Sequence, residues 1–431
     1  MGYRETIQYL YGLQKHGIKL GLDNTRELLA RLGNPQSAFR SVHVAGTNGK
    51  GTTAASLASI LEKSGRRTGL FTSPHLVSFT ERIRVGGSEI TEEEVIGLAD
   101  RVREKAGGLN PTFFEVVTAM GFLHFKEKGA GWAVVETGMG GRLDATNVLV
   151  PEVSVITALG LDHKEFLGPA IEDIAGEKAG IIKEGAPVVS AAHEPRAMEV
   201  IEKAAREKGA PLHAAGRDFT FEVTRGEPRG TWFDYFSEGL AMKGLVIPLA
   251  GRYHALNASL AIRAFDLVAG GADDREKAVR DGLAALRWPG RLELVSADPP
   301  VLIDGAHNPQ AAAALAGELR EGSVTEGRGL VLVMGIMGDK DIKGIMEPLL
   351  PLAREVIFTA PGYARAAPPS LLARCARELG FAHPRTAGSV REALDMARAS
   401  GGLVLVTGSF YTIGEAKEAL GTRGTLTGLR E

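Results

Sequence analysis

Between Val42 and Ser56 the chain reads VHVAGTNGKGTTAAS, a short apolar strand, a glycine-rich turn and the start of a helix. Glycines at 46, 49 and 51 let backbone N–H groups wrap an anion, the helix behind them adds positive potential, and Lys50 brings a mobile charge. The chemistry is that of a phosphate cradle, but the spacing is unusual. The common pattern has a longer gap before its Gly-Lys pair and a hydroxyl residue directly after the lysine. Here only Thr47 and Asn48 separate Gly46 from Gly49, and Gly51 stands between Lys50 and Thr52.

Further polar residues follow other apolar runs. Ser73 and His75 lie in TSPHL, Glu136 leads into TGMGGRLDATN, and Asp162 and His163 lie in LDHKEFLG. A hydroxyl, a carboxylate and an imidazole converging on phosphates would suit Mg²⁺ as ligands or as partners of ligands. Each also has an ordinary reading alone: a solvated strand-end acid, a hydrogen-bonded structural histidine, a flexible loop. Together on one sheet edge they argue for a site, because ligands of open α/β sheets gather beyond the carboxyl ends of the strands.

The elements that would place them are short β-rich runs alternating with helices. Strands are expected at 41–46, 68–73, 132–138, 153–159 and 186–192, and Ala54, Leu57, Ala58 and Leu61 fall at helical spacing after the first. Runs buried on both faces imply a parallel, doubly wound sheet. The alternating stretch FTFEVTRGEPRGTWFDYF within 219–250 predicts antiparallel hairpins attached to that sheet, and a helix is expected at about 255–269. LRWPGRLEL (286–294) breaks the pattern with a Pro-Gly pair. A second α/β set follows, with strands at 300–305, 329–335, 355–360 and 402–408, and Asn308-Pro309 opens a helix by capping. The fold class is therefore α/β in two domains, 1–287 and 293–431. The first is a phosphate-loop type, mostly parallel sheet with a small antiparallel addition, and the second is Rossmann-like.

The bulk numbers narrow the function. Of 431 residues, 44% are hydrophobic and 24% charged, and the formal charge of −2 with scattered Lys and Arg leaves no footprint for nucleic acid or anionic membrane. One cysteine, Cys375, cannot form an internal disulfide or a cysteine metal cage. The start MGYRETIQYL lacks the apolar core of a secretion signal, and its match to a myristoylation pattern is one that chance readily supplies. No run reaches the ~18 apolar residues that cross a bilayer. A cytoplasmic protein is expected.

With these residues in place, the sequence resembles the folylpolyglutamate synthase/dihydrofolate synthase family of the Mur ligase superfamily, over nearly the whole chain. HVAGTNGKGTT marks the superfamily, and GIKLGL, SPHL and GGRLDATN in this order point to the folate branch. TFFEVVTAMGF, EKAGIIK, WPGRLE, DGAHNP, MGDKD and GSFYTIGE continue the likeness. Only 45 residues precede Gly46, too few for the ~100-residue nucleotide-sugar domain that peptidoglycan-building members carry there.

The resemblance implies an ATP-dependent ligase that adds L-glutamate to a folate or dihydropteroate carboxylate through an acyl phosphate. The first domain would bind ATP and carry a folate-binding N-terminal segment, and the second would be the glutamate ligase domain. ATP would sit on Asn48, Gly49, Lys50, Gly51 and Thr52, completed by Asn257, Arg291, Asp304 and His307. Ser73, Glu136 and His163 match magnesium ligands, with two Mg²⁺ ions and a monovalent cation expected. Lys178 matches a lysine that is carbamylated in the family, and with Lys50, Glu136 and His163 it makes the expected catalytic set. The pterin-bearing substrate would meet Lys19, Leu20, Gly21, Leu22 and Asp23, then Thr112, Phe113, Phe114 and Glu115, then Leu143, Asp144 and Ala145. Phe113 and Phe114 suit stacking on a flat heterocycle or plain core packing. A monomer is implied. A Mur-type ligase with another acid acceptor, and a regulatory nucleotide-binding module, are the competing readings.

Overall fold

The structure is a computed structural model, and it describes residues 2–16, 21–269, 274–321 and 327–422. Its first sheet has eight strands: β1 (Arg40–Ala45), β2 (Thr68–Phe71), β3 (Ile83–Val85), β4 (Ser88–Glu89), β5 (Trp132–Glu136), β6 (Val153–Ile156), β7 (Val188–Ser190) and β8 (Leu212–Ala214). Their order is β4-β3-β2-β5-β1-β6-β7-β8. All neighbours run parallel except at one edge, where β3 and β4 form an antiparallel turn-back on β2. The phosphate-loop strand β1 is thus central, between β5 and β6, and the polar residues following β1, β2, β5 and β6 share one rim.

Both faces of this sheet are covered. The helix Lys50–Lys63 packs with Tyr253–Val268 and Arg275–Ala284 on one side, burying Leu57, Ile60, Leu61, Ala258, Phe265 and Leu283 in one cluster with Val42 and Val44. Gly282 allows the closest approach there: a Cβ on it would stand 2.6 Å from the Ile60 Cα. The other face carries Phe113–Glu127, Glu92–Lys105 and the N-terminal helix Tyr3–Gly12, around Phe71, Phe122 and Phe125.

Strands β9 (Phe219–Glu227), β10 (Gly230–Ser237) and β11 (Leu240–Ile247) correct one expectation. They form a separate three-stranded antiparallel sheet, not hairpins laddered onto the first. Their alternation buries Phe219, Phe233, Tyr235 and Leu245 in the cluster that holds the Lys50–Lys63 and Tyr253–Val268 helices. The alternating pattern identified the strands. It could not say whether a helix or a strand edge received the apolar face.

The last sheet contains β12 (Glu293–Ala297), β13 (Pro300–Ile303), β14 (Leu330–Met334), β15 (Ala353–Phe358), β16 (Arg385–Thr386) and β17 (Leu403–Thr407), in the order β12-β13-β17-β14-β15-β16. Only β12 is antiparallel to its neighbour. The strand runs expected from the sequence in this half all lie here, and the edge strands β12 and β16 are additions. Asn308 caps the helix Pro309–Arg320 as expected, its side chain accepting the Ala311 N–H. Among the described residues no helix is long and apolar enough to cross a membrane.

His43 lies inside β1, fully buried, with Nε2 2.7 Å from Thr146 Oγ1 and Nδ1 without a partner. The Thr146 hydroxyl donates to Asp144, so His43 Nε2–H is the donor to Thr146. Burial, reinforced by Lys183, pushes this imidazole down to about 3, and a proton on Nδ1 would find no acceptor. The unfolded chain takes up that proton as pH falls past 6.5 and the folded one does not. Stability from this group is therefore complete above that pH and lost as pH drops towards 3. His43→Gln is expected to remove about 2 kcal/mol of the stability difference between pH values of about 7.5 and 5. Urea unfolding at the two pH values measures it.

Candidate active site

The phosphate loop is held in shape from below. The N–H groups of Thr47 and Asn48 both donate to the carbonyl of Ala158, and Thr157 Oγ1 donates to the carbonyl of Asn48 at 2.7 Å, which ties the loop to the end of β6. Two glycines are required by geometry. Gly46, at φ 151°, comes so near Thr157 that a Cβ would stand 1.8 Å from its hydroxyl oxygen. Gly49 has φ 90°, and a Cβ on it would meet Asn257 Oδ1 at 2.3 Å. The Thr53 N–H then donates to the carbonyl of Gly49 and the helix begins.

Beyond the loop lies a cavity of ≈ 360 Å³ between the carboxyl ends of the first and last sheets. On the near side Glu136 is buried, accepts the Ser73 N–H at 3.1 Å and stands 4.0 Å from Lys50 Nζ. Burial raises its carboxyl above the usual range, against the pull of Lys50. Lys178 is also buried, donating to the carbonyl of Gly46 at 2.7 Å; burial, then the charge of Lys50, brings its amine down to about 7. On the far side the Arg291 guanidinium lies 4.5 Å above the Phe410 ring. Asp304 accepts the N–H groups of Leu292 and Ala306, both at 2.9 Å. Burial pushes Asp304 up and Arg291 down, and their mutual attraction opposes both changes. His307 donates from Nδ1 to the carbonyl of Gly305 at 2.8 Å.

The donor set fits a hard cation. Thr52 Oγ1 is buried without a hydrogen-bond partner among the described residues, and Thr52, Ser73 and Glu136 all line the cavity. Oxygen donors and one carboxylate are what Mg²⁺ takes when phosphates and water supply the rest. His163 lines the same cavity. It has left-handed backbone, φ 51°, and burial above all lowers its ring to about 4, leaving it neutral and able to ligate. Among the described residues no three His, Cys, Asp or Glu side chains make a protein-only metal cage.

Residues 44–265 match the Mur ligase middle domain and residues 290–410 the glutamate ligase domain of Mur ligases. The chain is 36% identical over 430 residues to the dihydrofolate synthase/folylpolyglutamate synthase of Bacillus subtilis, covering 97% of this chain and 99% of the relative. It belongs to the folylpolyglutamate synthase/dihydrofolate synthase family. Folylpolyglutamate synthase from Mycobacterium tuberculosis, complexed with ADP and AMPPCP, superposes with a TM-score of 0.90 at 34% identity, covering 98% of this chain and all of that one. Escherichia coli FolC in complex with DHPP and ADP does so with a TM-score of 0.88 at 33% identity, covering 97% and 98%.

Every residue that the family resemblance assigned to nucleotide or metal lines this one cavity: Asn48 to Thr52, Ser73, Glu136, His163, Asn257, Arg291, Asp304 and His307, together with Lys178. The residues assigned to the pterin substrate lie elsewhere. Lys19 and Leu20 fall outside the described residues. Gly21 and Leu22 are half-buried at the start of the helix Asp23–Arg31, and Asp23 is exposed, 3.8 Å from Arg26. Thr112 and Glu115 form a reciprocal helix cap, and Glu115 also accepts from Thr25 at 3.4 Å. Phe113 packs on Tyr11 and Phe114 on Phe71, with ring centroids 5.4 and 5.9 Å apart. Leu143 is half-buried and Ala145 buried, while Asp144 caps the turn Ala145–Val148 and accepts the Met139 N–H. Of these, Phe114 packs against Gly138 and Asp144 holds Met139 in the loop after β5, whose Gly138, Met139 and Gly140 reach the cavity.

Several residues of the site were not assigned from the sequence. Lys340 donates to Asp162 at 2.6 Å across the two halves, Asn308 and Gln310 bond Asn48, and Tyr253 donates to Asp304. The motif MGDKD carried the signal for Lys340, but Asn308 reads in sequence only as a helix cap. Gly49→Ala is expected to cost ~1–3 kcal/mol of stability, part backbone and part collision with Asn257. Adding Asn257→Ala should return the collision share alone, as measured by urea unfolding of the single and double variants.

Proposed function

We infer that this protein is an ATP-dependent ligase that adds L-glutamate to folate, and to dihydropteroate, through an acyl phosphate. One observation carries the reading: phosphate loop, buried carboxylate and buried amine face Arg291, Asp304 and His307 across a single cavity.

A carboxylate resists amines because its charge repels them and oxide does not leave. Its oxygen instead attacks the γ-phosphorus of ATP, the bond to the β-phosphate oxygen breaks, and ADP departs. Lys50 and the N–H groups of the loop offset charge in that loose transition state. Glu136 with Ser73, Thr52 and His163 would hold Mg²⁺, which when bound would supply Lewis-acid neutralisation of the phosphates. The amine of glutamate then attacks the acyl carbon, loses a proton, and phosphate leaves. Closure between the two sheets keeps water from the mixed anhydride.

Purified protein with ATP, Mg²⁺ and labelled glutamate is expected to label both tetrahydrofolate and dihydropteroate, with one ADP and one phosphate per glutamate. Labelling of tetrahydrofolate alone would remove the dihydrofolate synthase half, and labelling of neither would sink the reading.

Lys178 is the site of carbamylation in this reading. An amine near 7 is half unprotonated at neutral pH. Its lone pair forms an N–C bond to CO₂ and a proton is released, giving an anion whose remaining N–H can still donate to Gly46. ¹³C-bicarbonate should give a carbamate signal in the wild type that is absent in Lys178→Arg. Removing CO₂ should lower turnover reversibly by at least about tenfold in the wild type only.

A further inference from the structure

Asn48 stands in the phosphate loop, yet its side chain is committed elsewhere. Nδ2 donates to Asn308 Oδ1 at 3.2 Å and to Gln310 Oε1 at 2.8 Å, and Oδ1 accepts from Asn308 Nδ2 at 2.9 Å. An amide nitrogen has two protons, so both are used, and none is left for a phosphate oxygen. Its partners are equally fixed. Asn308 is buried and caps its helix through the same oxygen, accepting from Ala311 at 2.9 Å. Gln310 donates to the carbonyl of Leu159 at 2.8 Å, over a glycine, Gly160, where a Cβ would come within 2.2 Å of Gln310 Oε1. On its own side the Asn48 backbone is held by Ala158 and Thr157.

A rigid amide therefore joins the nucleotide loop of the first half to the first turn of the helix Pro309–Arg320 in the second. We propose that Asn48 is a positioning residue that clasps the glutamate-ligase half onto the loaded phosphate loop, so that the acyl phosphate is shielded when the amine attacks. This rests on the ligase reading above. The three amides carry no charge themselves, but Asn308 Nδ2 also donates to Asp162 at 3.3 Å, which Lys340 holds across the same gap; the clasp depends on the loop holding Asn48 in one place, which bound phosphates reinforce. Nucleotide occupancy and closure are thereby linked at a residue two positions from Lys50.

The test uses the full chain with Asn48→Ala, Gln310→Ala and both together, with ADP as the probe ligand. Asn48→Ala should leave the ADP Kd within about threefold, because the backbone still holds the phosphates, and raise KM for glutamate at least about tenfold. ADP released per amide formed should rise above one as the exposed acyl phosphate meets water. The radius of gyration with ADP, by small-angle scattering, should grow towards that of an open form. Gln310→Ala, at a half-buried position in the first helical turn, should show the same pattern more weakly, and the double variant should exceed Asn48→Ala only by the share of the separate Gln310–Leu159 bond, less than the sum of the two single effects.

ADP binding lost by tenfold or more with KM, coupling and radius unchanged would make Asn48 a phosphate ligand and overturn the proposal. Fully additive effects would overturn it also. The binding and scattering arms need no turnover, so they stand apart from any failure of the ligase assignment.

Discussion

Burial works against the charged form of every ionisable side chain it covers, and that constraint organises this molecule. Glu136 and Asp304 are raised and Lys178 and Arg291 are lowered, each by burial before anything else. Arg291 and Asp304 attract each other, which offsets part of this, while Glu136 and Lys178 have less help. Lys50 stands 4.0 Å from Glu136, at the limit of an ion pair, and Lys178 donates to a carbonyl and not to a carboxylate. A buried ion that lacks its partner costs several kcal/mol, so the cavity is built at the expense of stability. In the ligase reading, a tetra-anionic triphosphate and a divalent cation would supply the charges that its walls lack. The same imbalance that weakens the empty site strengthens binding in it, because low dielectric amplifies each new contact.

Topology makes that concentration of charge possible. β1 is central in the first sheet, and the residues after β1, β2, β5 and β6 reach one rim because their strands run parallel. The same holds for β13 in the last sheet, which ends at Ile303 and leads straight into Asp304, His307 and Asn308. Each sheet presents its carboxyl ends to the other across the cavity. The apolar clusters lie behind the rim, and the residues expected to carry the chemistry lie on it.

Strand runs and the phosphate loop could be read from the sequence because their causes are local. Val-rich runs buried on both faces, a glycine at a left-handed position and Asn-Pro at a helix start each act within a few residues. Several of the residues expected at nucleotide and metal come together on one rim for a related reason, since they lie close after strands. The residues expected at the pterin also have structural roles of their own. Thr112 and Glu115 make a capping box whose pattern is visible in TFFE, yet a motif of that kind serves a helix first. Whether Phe113 stacks on a ligand or on Tyr11 depends on a helix about a hundred residues upstream, which no local rule reports. Asn48 bonding Asn308, and Asp162 bonding Lys340, are likewise products of how two separate sheets are set against each other.

The linker shows how that setting is enforced. Leu292 adopts φ 43°, left-handed backbone that a branched side chain avoids, at a cost of ~1–3 kcal/mol. Two interactions hold it there. Its side chain is buried among Leu302, Ala306 and Leu332, and its N–H is taken by Asp304. The neighbouring Gly290 N–H is taken by Glu293, which Lys417 anchors at 2.7 Å. A relaxed backbone would turn Arg291 away from the cavity; the strained one lays it over Phe410 and beside Asp304. Asp304 is therefore not only a carboxylate lining the cavity. By holding the Leu292 backbone it fixes the direction in which the second half enters the site, so the geometry of the linker and the chemistry of the cavity depend on the same carboxylate.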